Sequence, residues 1–595
     1  MTHKTAVTDR RPTPSSDLFR CRFYQIPPRF FKHPVLHLLP HTMDVFTPTS
    51  FYRWAASAIA LVVIKFVVDK ALLIRRAFAS TKDCPGQIPL WFSPFSAMTA
   101  LAGDKFPGPG MPGYYAAKFS LYKKFGATNF ASVDLLQAQP IFWLADPEAL
   151  KIVTSDRHTF QKDITQYEIL NFCGGNLISL EGTDWKRHRS VSMSAFNEAN
   201  IALVWSEALR IINEWFEQLD AVGSDVSVDL LLPMGQITLH VIATAGFGGR
   251  VSWTADPTVL TFRSAFMDSV HNTRFRMLTP GWFYRLSSLI TVPYLSSRAL
   301  RTQLAFDELR THMLDLVASA RAETMSGDYE GKLGTALLRN LVEANMNQDG
   351  ASKKLSEGEL LSNVFLFFLA GHETTAHSLC FALVLLALYP DYQEKIYKEV
   401  IRIWPSDIPV AQLTTNHKEY MDKLEYTTAC IRETLRMFPP VTRLLKDALA
   451  DAVLPGAYFA PGFQGSPVKT GDFSMAVPAG SLVVIDIWAL HHNSLYWGED
   501  VTKYKPERFI DTEAYEWPRN AFMPFMAGPR SCIGHRFALA EMVGIIASIV
   551  RRYEIRVPDN LAKEPLEVQK EALLKWTTGL TLTPVNARVK LCRRV

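Results

Sequence analysis

The chain has 595 residues, of which 48% are hydrophobic and 12% aromatic, and its formal net charge is +5. This composition provides ample core and excludes disorder for most of the length, while the small charge argues against a nucleic-acid-binding protein. The seven cysteines are scattered and never form C-x-x-C pairs. They indicate neither a disulfide framework nor a zinc module, and they suit a reducing compartment.

The N-terminal region combines a polar leader with an apolar run. Residues 1–50 are predicted to form a basic extension rich in Pro and Ser, and residues 51–76 a membrane anchor. Within Trp54–Val68 the only charged residue is Lys65. A span needs about 20 apolar residues, and Lys65 and Lys70 make this run a poor span unless their long stems reach the interface. A single span and an amphipathic helix lying in the interface both remain open.

The orientation of the anchor depends on where translation begins. Met43 lies directly before the anchor, and a start there would leave Lys70, Arg75 and Arg76 on its far side. The positive-inside rule then places the rest of the chain in the cytosol. An Arg-rich, acid-poor leader is alternatively typical of a mitochondrial transit sequence. The apolar run lies too far from Met1 for a cleaved signal peptide.

Residues 77–92, with "KDCPGQIPLW", are predicted to be a Pro/Gly hinge that leads into a domain at 93–595. Two strand-like segments follow, "ASVDLLQ" and "QPIFWLAD". In "DPEALKIVT", Asp146 is predicted to cap a helix that has Pro147 at its first position. From about residue 185 long helical patterns dominate, with short strands near the C-terminal third. The prediction is a mostly α fold, a large helical domain with a smaller β-rich part.

The longest predicted helix opens with "SEGE", in which Ser356 and Glu359 form a capping box. It runs to Tyr389, where Pro390 stops it, and would be about 50 Å long. The helix is apolar almost all round, which is typical of a membrane span or of the buried axis of a large domain. Its polar midpoint favours the buried axis, because Glu373 would be costly in lipid.

That midpoint, "LAGHETTAH", comes within one residue of the zinc-protease signature H-E-x-x-H. The spacing decides against zinc. His372 and His377 are five residues apart, so they point about 140° apart around the helix and cannot bind one ion together. Glu373 and the two threonines beside it therefore need another explanation.

Near the C-terminus, "FMAGPRSCIGHRFALAEM" satisfies the pattern F-x-x-G-x-R-x-C-x-G with Phe525, Gly528, Arg530, Cys532 and Gly534. The glycines permit a tight turn and close approach to a flat cofactor. The helix that follows stabilises a thiolate at its N-terminus, and an arginine can pair with an acidic cofactor edge. A thiolate ligand pushes electron density onto haem iron and favours O–O cleavage. The alternative is a structural cysteine buried in a glycine turn.

From about Pro85 to its end the chain resembles the cytochrome P450 family of haem-thiolate enzymes, and within it the membrane-anchored microsomal type with fungal members. In "WKRHR", Trp185 and Arg189 have the family's W-x-x-x-R spacing, which implies contact with a haem propionate; alone, the segment would read as an ordinary amphipathic helix. "ETLRMFPP" supplies E-x-x-R, and "YKPERF" supplies the third member of the family's Glu-Arg-Arg network. Those three residues are Glu433, Arg436 and Arg508.

The resemblance also explains the midpoint of the long helix, because "AGHETT" matches the family's A/G-G-x-D/E-T-T/S. It implies that Gly371 leaves a groove for dioxygen and that Glu373 and Thr374 relay protons to the distal oxygen. The alternative is that Thr374 only bonds a backbone carbonyl of its own helix. One position departs from the family: the arginine expected after the P-P turn aligns with Lys446, which lacks the bidentate fork, while Arg443 lies three residues earlier.

The resemblance further implies a lipophilic pocket, since the aligned residues are mostly apolar and aromatic. Each of them could equally be ordinary core. The predicted lining comprises Tyr167, Ile169, Phe172, Phe365, Phe368, Leu369, Leu444, Leu445, Thr578 and Leu580.

Taken together, these features predict a haem b monooxygenase whose catalytic domain spans 93–595 and whose iron is bound by Cys532. The expected substrate is a lipophilic small molecule, such as a terpenoid or another secondary metabolite, and O2 is the co-substrate. No flavin- or nicotinamide-binding segment follows the haem segment, so NADPH-cytochrome P450 reductase is the expected electron donor. An isomerase or dehydratase on the same fold, and a non-catalytic haem-binding protein, are the alternatives.

Two further expectations concern the surroundings of this enzyme. A single N-terminal anchor would hold it on the endoplasmic reticulum membrane with the catalytic domain in the cytosol, and nucleic acid is not an expected partner. A basic patch near the haem edge would meet the acidic surface of the reductase. The residues of that patch are Lys186, Arg187, His535 and Arg536.

Overall fold

A computed structural model describes most of the chain after residue 47. The described residues are 48–91, 93–94, 118–171, 173–247, 265–269, 272, 275–276, 279, 281–286, 295–326, 337–347, 353–404, 417–462 and 467–594. Met43 and nearly all of the predicted extension 1–50 lie outside them. The chain divides into two compact units, residues 1–68 and residues 69–595. The predicted domain boundaries at 50, 76 and 92 stay predictions.

The first described element is helix α1, Pro48–Ser80, which contains the whole of the predicted anchor 51–76. Many large hydrophobic side chains on α1 are exposed rather than packed. They are Tyr52, Trp54, Ile59, Leu61, Val62, Val63, Ile64, Phe66, Val67, Val68, Leu72 and Leu73. Within the described residues no single helix is long and apolar enough to cross a membrane. One pair of consecutive helices, Glu357–Leu388 and Pro390–Ile403, meets both criteria when taken together, but the two helices are bent by 107° where they join. The membrane anchor therefore stays a prediction.

The larger unit contains a mixed sheet of six strands, in the order β1-β2-β3-β9-β6-β4. The pairs β1–β2 and β3–β9 are parallel, and the other three pairs are antiparallel. The predicted strand segments around residues 130 and 140 are confirmed as β2 and β3. The strands are β1 Ile88–Leu90, β2 Asn129–Asp134, β3 Gln139–Leu144, β4 Phe160–Lys162, β6 Arg443–Ala448 and β9 Leu482–Asp486.

Three smaller sheets complete the β structure of the described residues. Strands β10, β13 and β5 form an antiparallel sheet, and two hairpins pair β7 with β8 and β11 with β12. Their bounds are β5 Asp225–Asp229, β7 Ala452–Pro461, β8 Pro467–Val477, β10 Tyr553–Arg556, β11 Trp576–Thr578, β12 Leu582–Pro584 and β13 Arg588–Arg593. The turn between β11 and β12 reaches the long central helix, as described below.

Helices make up most of the larger unit. After α1 they are α2 Ser120–Phe125, α3 Pro147–Ser155, α4 Gly182–Met193, α5 Glu198–Val222, α6 Leu231–Phe247, α7 Gly281–Leu286, α8 Leu295–Ser326, α9 Leu337–Met346, α10 Glu357–Leu388, α11 Pro390–Ile403, α12 His417–Lys423, α13 Glu425–Met437, α14 Ile487–His491, α15 Ser494–Trp497, α16 His535–Arg552 and α17 Leu566–Leu573. The predicted mostly α fold with a smaller β part is confirmed.

Helix α10 is the axis of this unit. It packs against α6, α8, α13 and α16, and most of its side chains are buried. The predicted capping box is present, because Ser356 accepts a hydrogen bond from the Glu359 amide and the Glu359 carboxylate accepts one from the Ser356 amide. The predicted stop before Pro390 is confirmed, because α10 ends at Leu388 with Tyr389 as its cap and Pro390 begins the next helix. Asp146 likewise caps α3 by accepting from the amides of Glu148 and Ala149.

Candidate active site

Cys532 lies in a loop that ends at the N-terminus of α16. The loop is closed by a hydrogen bond of 2.8 Å from the Cys532 amide to the Phe525 carbonyl. The Cys532 side chain is accessible although many protein atoms lie around it. Burial raises the pKa of this thiol, while a hydrogen bond from the Gly534 backbone and the charge of Arg189 lower it. This is the environment of a thiol that becomes a ligand when it meets a metal.

Gly528 fixes the other end of the loop. Its φ is +70°, a conformation that side-chain-bearing residues rarely adopt, and a β-carbon there would lie 2.6 Å from the Thr154 carbonyl oxygen at the end of α3. The glycine of the motif is therefore needed both for the turn and for its contact with α3. Gly534, by contrast, would place a β-carbon 3.5 Å from Phe196, an ordinary contact.

Helix α4 brings its aromatic and basic residues to the cysteine loop. Arg189 donates a hydrogen bond of 3.0 Å to the Ser531 carbonyl. The Arg530 guanidinium lies 4.6 Å from the centre of the Trp185 ring and pairs with Glu181 at 2.8 Å. Its Nε is buried and has no hydrogen-bond partner among the described residues. A donor left over in this way indicates an acceptor that a bound group would supply.

Two lysines face this cluster from the sheet. Lys162 of β4 and Lys446 of β6 are directly opposite each other in an antiparallel pair, an unfavourable position for like charges. Burial, together with the Arg530 charge, lowers the pKa of Lys162 to about 7, and burial lowers that of Lys446 to about 8. Lys446 donates to the carbonyls of Val153 and Phe160, at 2.8 and 3.0 Å, which leaves one of its three N–H donors.

Arg443 takes no part in this cluster. Its Nε donates to Asp486 at 3.0 Å, and both side chains are buried. The substitution of the expected arginine by Lys446 therefore stands without a replacement from Arg443.

The midpoint of α10 presents one open face. Ala370 is exposed and Thr374, one turn later, is half-buried, whereas their neighbours on the helix are mostly buried. The Thr374 hydroxyl donates to the Ala370 carbonyl at 2.7 Å, which is the helix-internal bond of the alternative interpretation. A β-carbon on Gly371 would lie 3.4 Å from Ile242 of α6. This is an ordinary van der Waals distance to the end of a flexible side chain, so α6 packs here without requiring a glycine. Nearby, the Thr238 hydroxyl donates to the His372 carbonyl.

Glu373 is the acidic group at this point. Its Oε1 accepts a hydrogen bond of 3.0 Å from Thr581, in the turn between β11 and β12, and Thr581 in turn lies 2.8 Å from Nδ1 of His377. The Oε2 atom of Glu373 is buried without a partner among the described residues. Burial raises the pKa of Glu373 and, with the charge of His372, lowers that of His377 to about 4. Both groups are therefore held towards their neutral forms.

With this geometry in place, comparison with known proteins decides the family. Residues 118–584 match the family model described as Cytochrome P450.

The chain belongs to the cytochrome P450 family.

Cytochrome P450 monooxygenase 124 of Postia placenta is 36% identical over 516 residues, covering 84% of this chain and 92% of that protein. Cytochrome P450 monooxygenase ORF6 of Penicillium roqueforti is 25% identical over 495 residues, which are 75% of this chain and 80% of the relative. Cytochrome P450 4Z1 of Homo sapiens is 26% identical over 493 residues, which are 80% of this chain and 90% of the relative.

Membership identifies the protein as a cytochrome P450 monooxygenase, an oxidoreductase whose cofactor is haem with a thiolate-bound iron. The residues present fit that group. An accessible thiol at a helix N-terminus can supply the ligand, and the half-buried Arg189, Arg530 and Lys162 with the buried Lys446 can hold the acidic groups of the cofactor. Of that cationic cluster, the sequence predicted Arg189, Arg530 and Lys446 but missed Lys162.

Lys162 carried no signal in the sequence, because its role depends on a strand pairing with β6 that is distant along the chain. Thr581 was missed for the same reason, since only the folded hairpin brings it to Glu373. His377 carried a signal as part of "HETTAH", but its partner could not be read from the spacing.

The predicted pocket of this P450 is described in part. Phe365, Phe368 and Leu369 are buried. The ring centres of Phe365 and Phe368 lie 6.4 and 5.7 Å from the ring centre of Phe266. Leu445 is buried in the hydrophobic cluster that contains Trp143. Leu444 packs against a different cluster, the one that contains Phe142. Successive strand residues point to opposite faces, so these two leucines cannot line one cavity.

The remaining pocket predictions divide by position. The Tyr167 ring lies 3.5 Å below the Lys162 ammonium, and Leu580 is exposed in the β11–β12 turn. Phe172 lies outside the described residues, and the side chains of Ile169 and Thr578 are not described either.

The predicted basic patch needs a correction. Arg187 is not available to a partner protein, because it forms two hydrogen bonds with Glu359, at 2.8 and 2.7 Å, and is largely buried. Arg536 is exposed but pairs with Glu198 at 2.6 Å. Lys186 and His535 are exposed, so the patch is smaller and less charged than the sequence predicted.

Proposed function

We propose that this cytochrome P450 inserts one oxygen atom from O2 into a lipophilic small molecule, by hydroxylation or a related oxidation of a terpenoid or other secondary metabolite. Cys532 is the haem ligand in this proposal. The observation that carries it is the closed cysteine loop, whose accessible thiol lies beside Arg189 and at the N-terminus of α16. A haem held by a thiolate activates dioxygen and favours cleavage of its O–O bond.

The haem carboxylates have a matching set of cations in the proposal. Arg189, Arg530, Lys162 and Lys446 would bind them, with the Trp185 ring packed against the Arg530 guanidinium. The unpartnered Nε of Arg530 and the opposed lysines support this role. Phe525, Gly528 and Gly534 shape the loop around the ligand.

Proton delivery is assigned to Glu373 and Thr374. Oxygen activation needs protons at a site from which bulk water is excluded. Burial favours the protonated form of Glu373, which can then give up a proton. The Thr374 hydroxyl donates its hydrogen to the Ala370 carbonyl. Its oxygen can still accept a hydrogen bond on the open face of α10. Gly371 keeps this part of α10 free of a side chain. The intact acid–alcohol pair speaks against the isomerase or dehydratase alternative.

Electrons are proposed to come from NADPH through a separate cytochrome P450 reductase. Lys186 and His535 are exposed near the cysteine loop and would form the centre of the docking surface. Arg536 would contribute only when its pairing with Glu198 is exchanged for an acidic group of the reductase.

The proposal places the protein on the endoplasmic reticulum membrane, held by the anchor at 51–76, followed by the hinge at 77–92 and the catalytic domain at 93–595. The exposed apolar side chains of α1 support it, because such a surface is costly in water. A protein beginning at Met43 should stay in the membrane fraction, and one beginning at Lys82 should leave it. Retention of both in the membrane fraction would remove α1 from this role.

The reaction is tested by expressing the full chain with a reductase and supplying NADPH and ¹⁸O2. The expected result is a product that carries one labelled oxygen, formed only when reductase and NADPH are present. A product formed without NADPH would indicate an isomerase or dehydratase. A haem-loaded protein that binds lipophilic compounds but never turns them over would indicate a non-catalytic haem-binding protein.

A further inference from the structure

Three side chains form a hydrogen-bonded series at the midpoint of α10. Glu373 and His377 are one turn apart on the helix, and Thr581 lies between them from the β11–β12 turn. The distances are 3.0 Å from Thr581 Oγ1 to Glu373 Oε1 and 2.8 Å from Thr581 Oγ1 to His377 Nδ1. Thr581 and His377 are buried, at 6% and 8% exposed, and Glu373 is half-buried. His377, whose spacing from His372 excludes a shared zinc ion, thus has a hydrogen-bonding partner in Thr581.

The single hydrogen of the Thr581 hydroxyl restricts this series to two arrangements. If the hydroxyl donates to Glu373 Oε1, its oxygen accepts from His377, whose hydrogen then lies on Nδ1. If Nδ1 is bare, the hydroxyl donates to the ring, and Glu373 must be protonated at Oε1 to donate in return. The two arrangements place the carboxyl proton on different oxygens, and the tautomer of His377 selects between them.

We propose that Thr581 and His377 are positioning residues for proton delivery, because together they occupy Oε1 of Glu373 as an acceptor and leave Oε2 to carry the proton that is transferred. This inference rests on the proposed function of Glu373. Oε2 is the buried carboxyl atom that has no partner among the described residues, and it is therefore the atom whose proton is not held by the protein. Burial keeps His377 neutral, so its ring carries a single N–H and does not act as a second acid. In this proposal that hydrogen lies on Nδ1, where it donates to the Thr581 oxygen.

The first test compares variants that differ by one hydrogen-bonding group. Thr581→Val removes the hydroxyl and keeps the shape, while Thr581→Ser keeps the hydroxyl. His377→Leu removes the ring nitrogen, while His377→Asn keeps a donor near the position of Nδ1. The measured quantities are product and hydrogen peroxide per NADPH. Thr581→Val and His377→Leu should release several times more peroxide per product than the wild type, and the two conservative variants should recover most of the coupling.

A second test does not depend on turnover. The infrared band of the protonated Glu373 carboxyl is assigned by its loss in Glu373→Gln. Because the Thr581 hydroxyl bonds Oε1, the carbonyl oxygen of that carboxyl, Thr581→Val should move the band to higher frequency, and Thr581→Ser should leave it near its wild-type position. The pKa of Glu373 should also rise in Thr581→Val, since the bond from Thr581 lowers it.

The outcomes separate this inference from the function on which it rests. If Glu373→Gln remains coupled, Glu373 is not the proton donor and the proposed delivery itself is wrong. If Glu373→Gln uncouples while Thr581→Val remains coupled with an unmoved band, the positioning role alone is wrong. Equal uncoupling in Thr581→Val and Thr581→Ser would show that packing matters and the hydrogen bond does not. If a Thr581 variant loses the thiolate spectrum, the His377→Leu and His377→Asn pair decides the question in the same way.

Discussion

Arg187 donates one hydrogen bond to each carboxylate oxygen of Glu359, at 2.8 and 2.7 Å, and so ties two helices of the site together. Arg187 belongs to α4, the helix that brings Trp185 and Arg189 to the cysteine loop. Glu359 belongs to the capping box of α10, the helix that carries Glu373. The pair therefore fixes the start of the long helix relative to the cationic cluster.

Arg187→Met should destabilise the fold by about 1–2 kcal/mol, the range for a charged hydrogen-bonded pair that is partly screened by solvent. The Arg187 hydrogen bond is the largest of several interactions, among them the Ser356 amide and the His188 charge, that lower the pKa of Glu359 from its ordinary 4.5 to about 2. Its stabilisation is therefore complete above about pH 4.5 and is lost as the pH falls towards 2. Denaturant unfolding across this range checks it: the variant should lose less stability on acidification than the wild type. The exposed neighbour Lys186→Met is the control, and an equal loss in both variants would contradict the assignment.

Arg187 also shows where sequence reasoning failed. Its place beside the W-x-x-x-R motif led to its prediction as part of a basic docking patch, but its partner Glu359 is 172 residues further along the chain. By contrast, the capping box, the Asp146 cap and the E-x-x-R pair were predicted correctly, because each partner lies within one helical turn. Contacts across a strand pair or between a hairpin and a helix leave no such local pattern.

Gly528→Ala should disrupt the cysteine loop. Alanine at φ +70° is strained, and its β-carbon would lie 2.6 Å from a backbone oxygen that cannot move freely. The expected cost is more than about 2 kcal/mol, with loss of the thiolate signature in the reduced carbon monoxide spectrum. Gly534→Ala is the matched control in the same motif, because it makes only an ordinary contact and should keep the signature. Equal behaviour of the two variants would show that neither glycine position is strained.

Cys532→Ala and Cys532→His should abolish the red-shifted Soret band that reduced, carbon monoxide-bound haem-thiolate proteins show, because no other sulfur is assigned to the iron. The free cysteines Cys430 and Cys380 are buried in the helical core, away from the accessible space at Cys532. Cys380→Ala is the control and should keep the band. A thiolate band that survives in Cys532→Ala would make the assignment of the ligand wrong.

Lys162→Met should weaken haem retention. Burial and the Arg530 charge lower the pKa of Lys162 to about 7 despite the nearby carboxylates of Glu181 and Asp163, and a bound propionate would raise it again. Haem binding should then take up protons, so that affinity falls as the pH rises above about 7. Transfer of haem to an acceptor protein, followed between about pH 6 and pH 9, should be faster in the variant and less dependent on pH. The surface variant Lys563→Met is the control and should release haem at the wild-type rate. If Lys162→Met also released haem at that rate, Lys162 would not be part of the haem site.

The haem site was thus predictable only in part. The five residues of the cysteine motif lie in one loop because they are close together in sequence, and their contact with the haem stays a prediction. Lys446 was expected to replace an arginine, and it lies in the cluster, but two backbone carbonyls hold it. Gly371 was expected to open a groove, and a β-carbon there would make an ordinary contact with Ile242 of α6. In each case the motif indicated the position, and the neighbouring element decided what the side chain does.

Thr374→Ala should uncouple NADPH oxidation from product formation while the thiolate spectrum stays unchanged. The hydroxyl lies on the open face of α10 and bonds only its own helix, at 2.7 Å to the Ala370 carbonyl, so its removal costs little packing. The expected result is at least about tenfold more hydrogen peroxide per product. Thr375→Val, at the buried neighbouring position, should stay coupled. Unaltered coupling in Thr374→Ala would leave the helix-internal bond as the whole role of this threonine.

Arg436→Lys should destabilise the domain far more than an exchange of a surface arginine. Arg436 and Glu433 are both fully buried, and they meet through two hydrogen bonds of 2.6 and 2.8 Å. Arg436 also donates to the His491 carbonyl at 2.8 Å, and Arg508 approaches Glu433 at 3.6 Å. A lysine has three donors at one point and cannot reproduce the planar fork, so the buried carboxylate would be left partly unpaired.

Breaking such a pair costs about 3–5 kcal/mol, and thermal unfolding of the haem-loaded protein should show it. Arg402→Lys, on the exposed face of α11, is the control and should change stability by less than about 0.5 kcal/mol. Glu433→Gln should resemble Arg436→Lys, because the amide leaves the buried Arg436 guanidinium without a counter-charge, whereas Arg508 still pairs with Asp500. Should Arg436→Lys unfold at the wild-type temperature, the network would tolerate a point charge, and the bidentate geometry would not be what holds α13 in place.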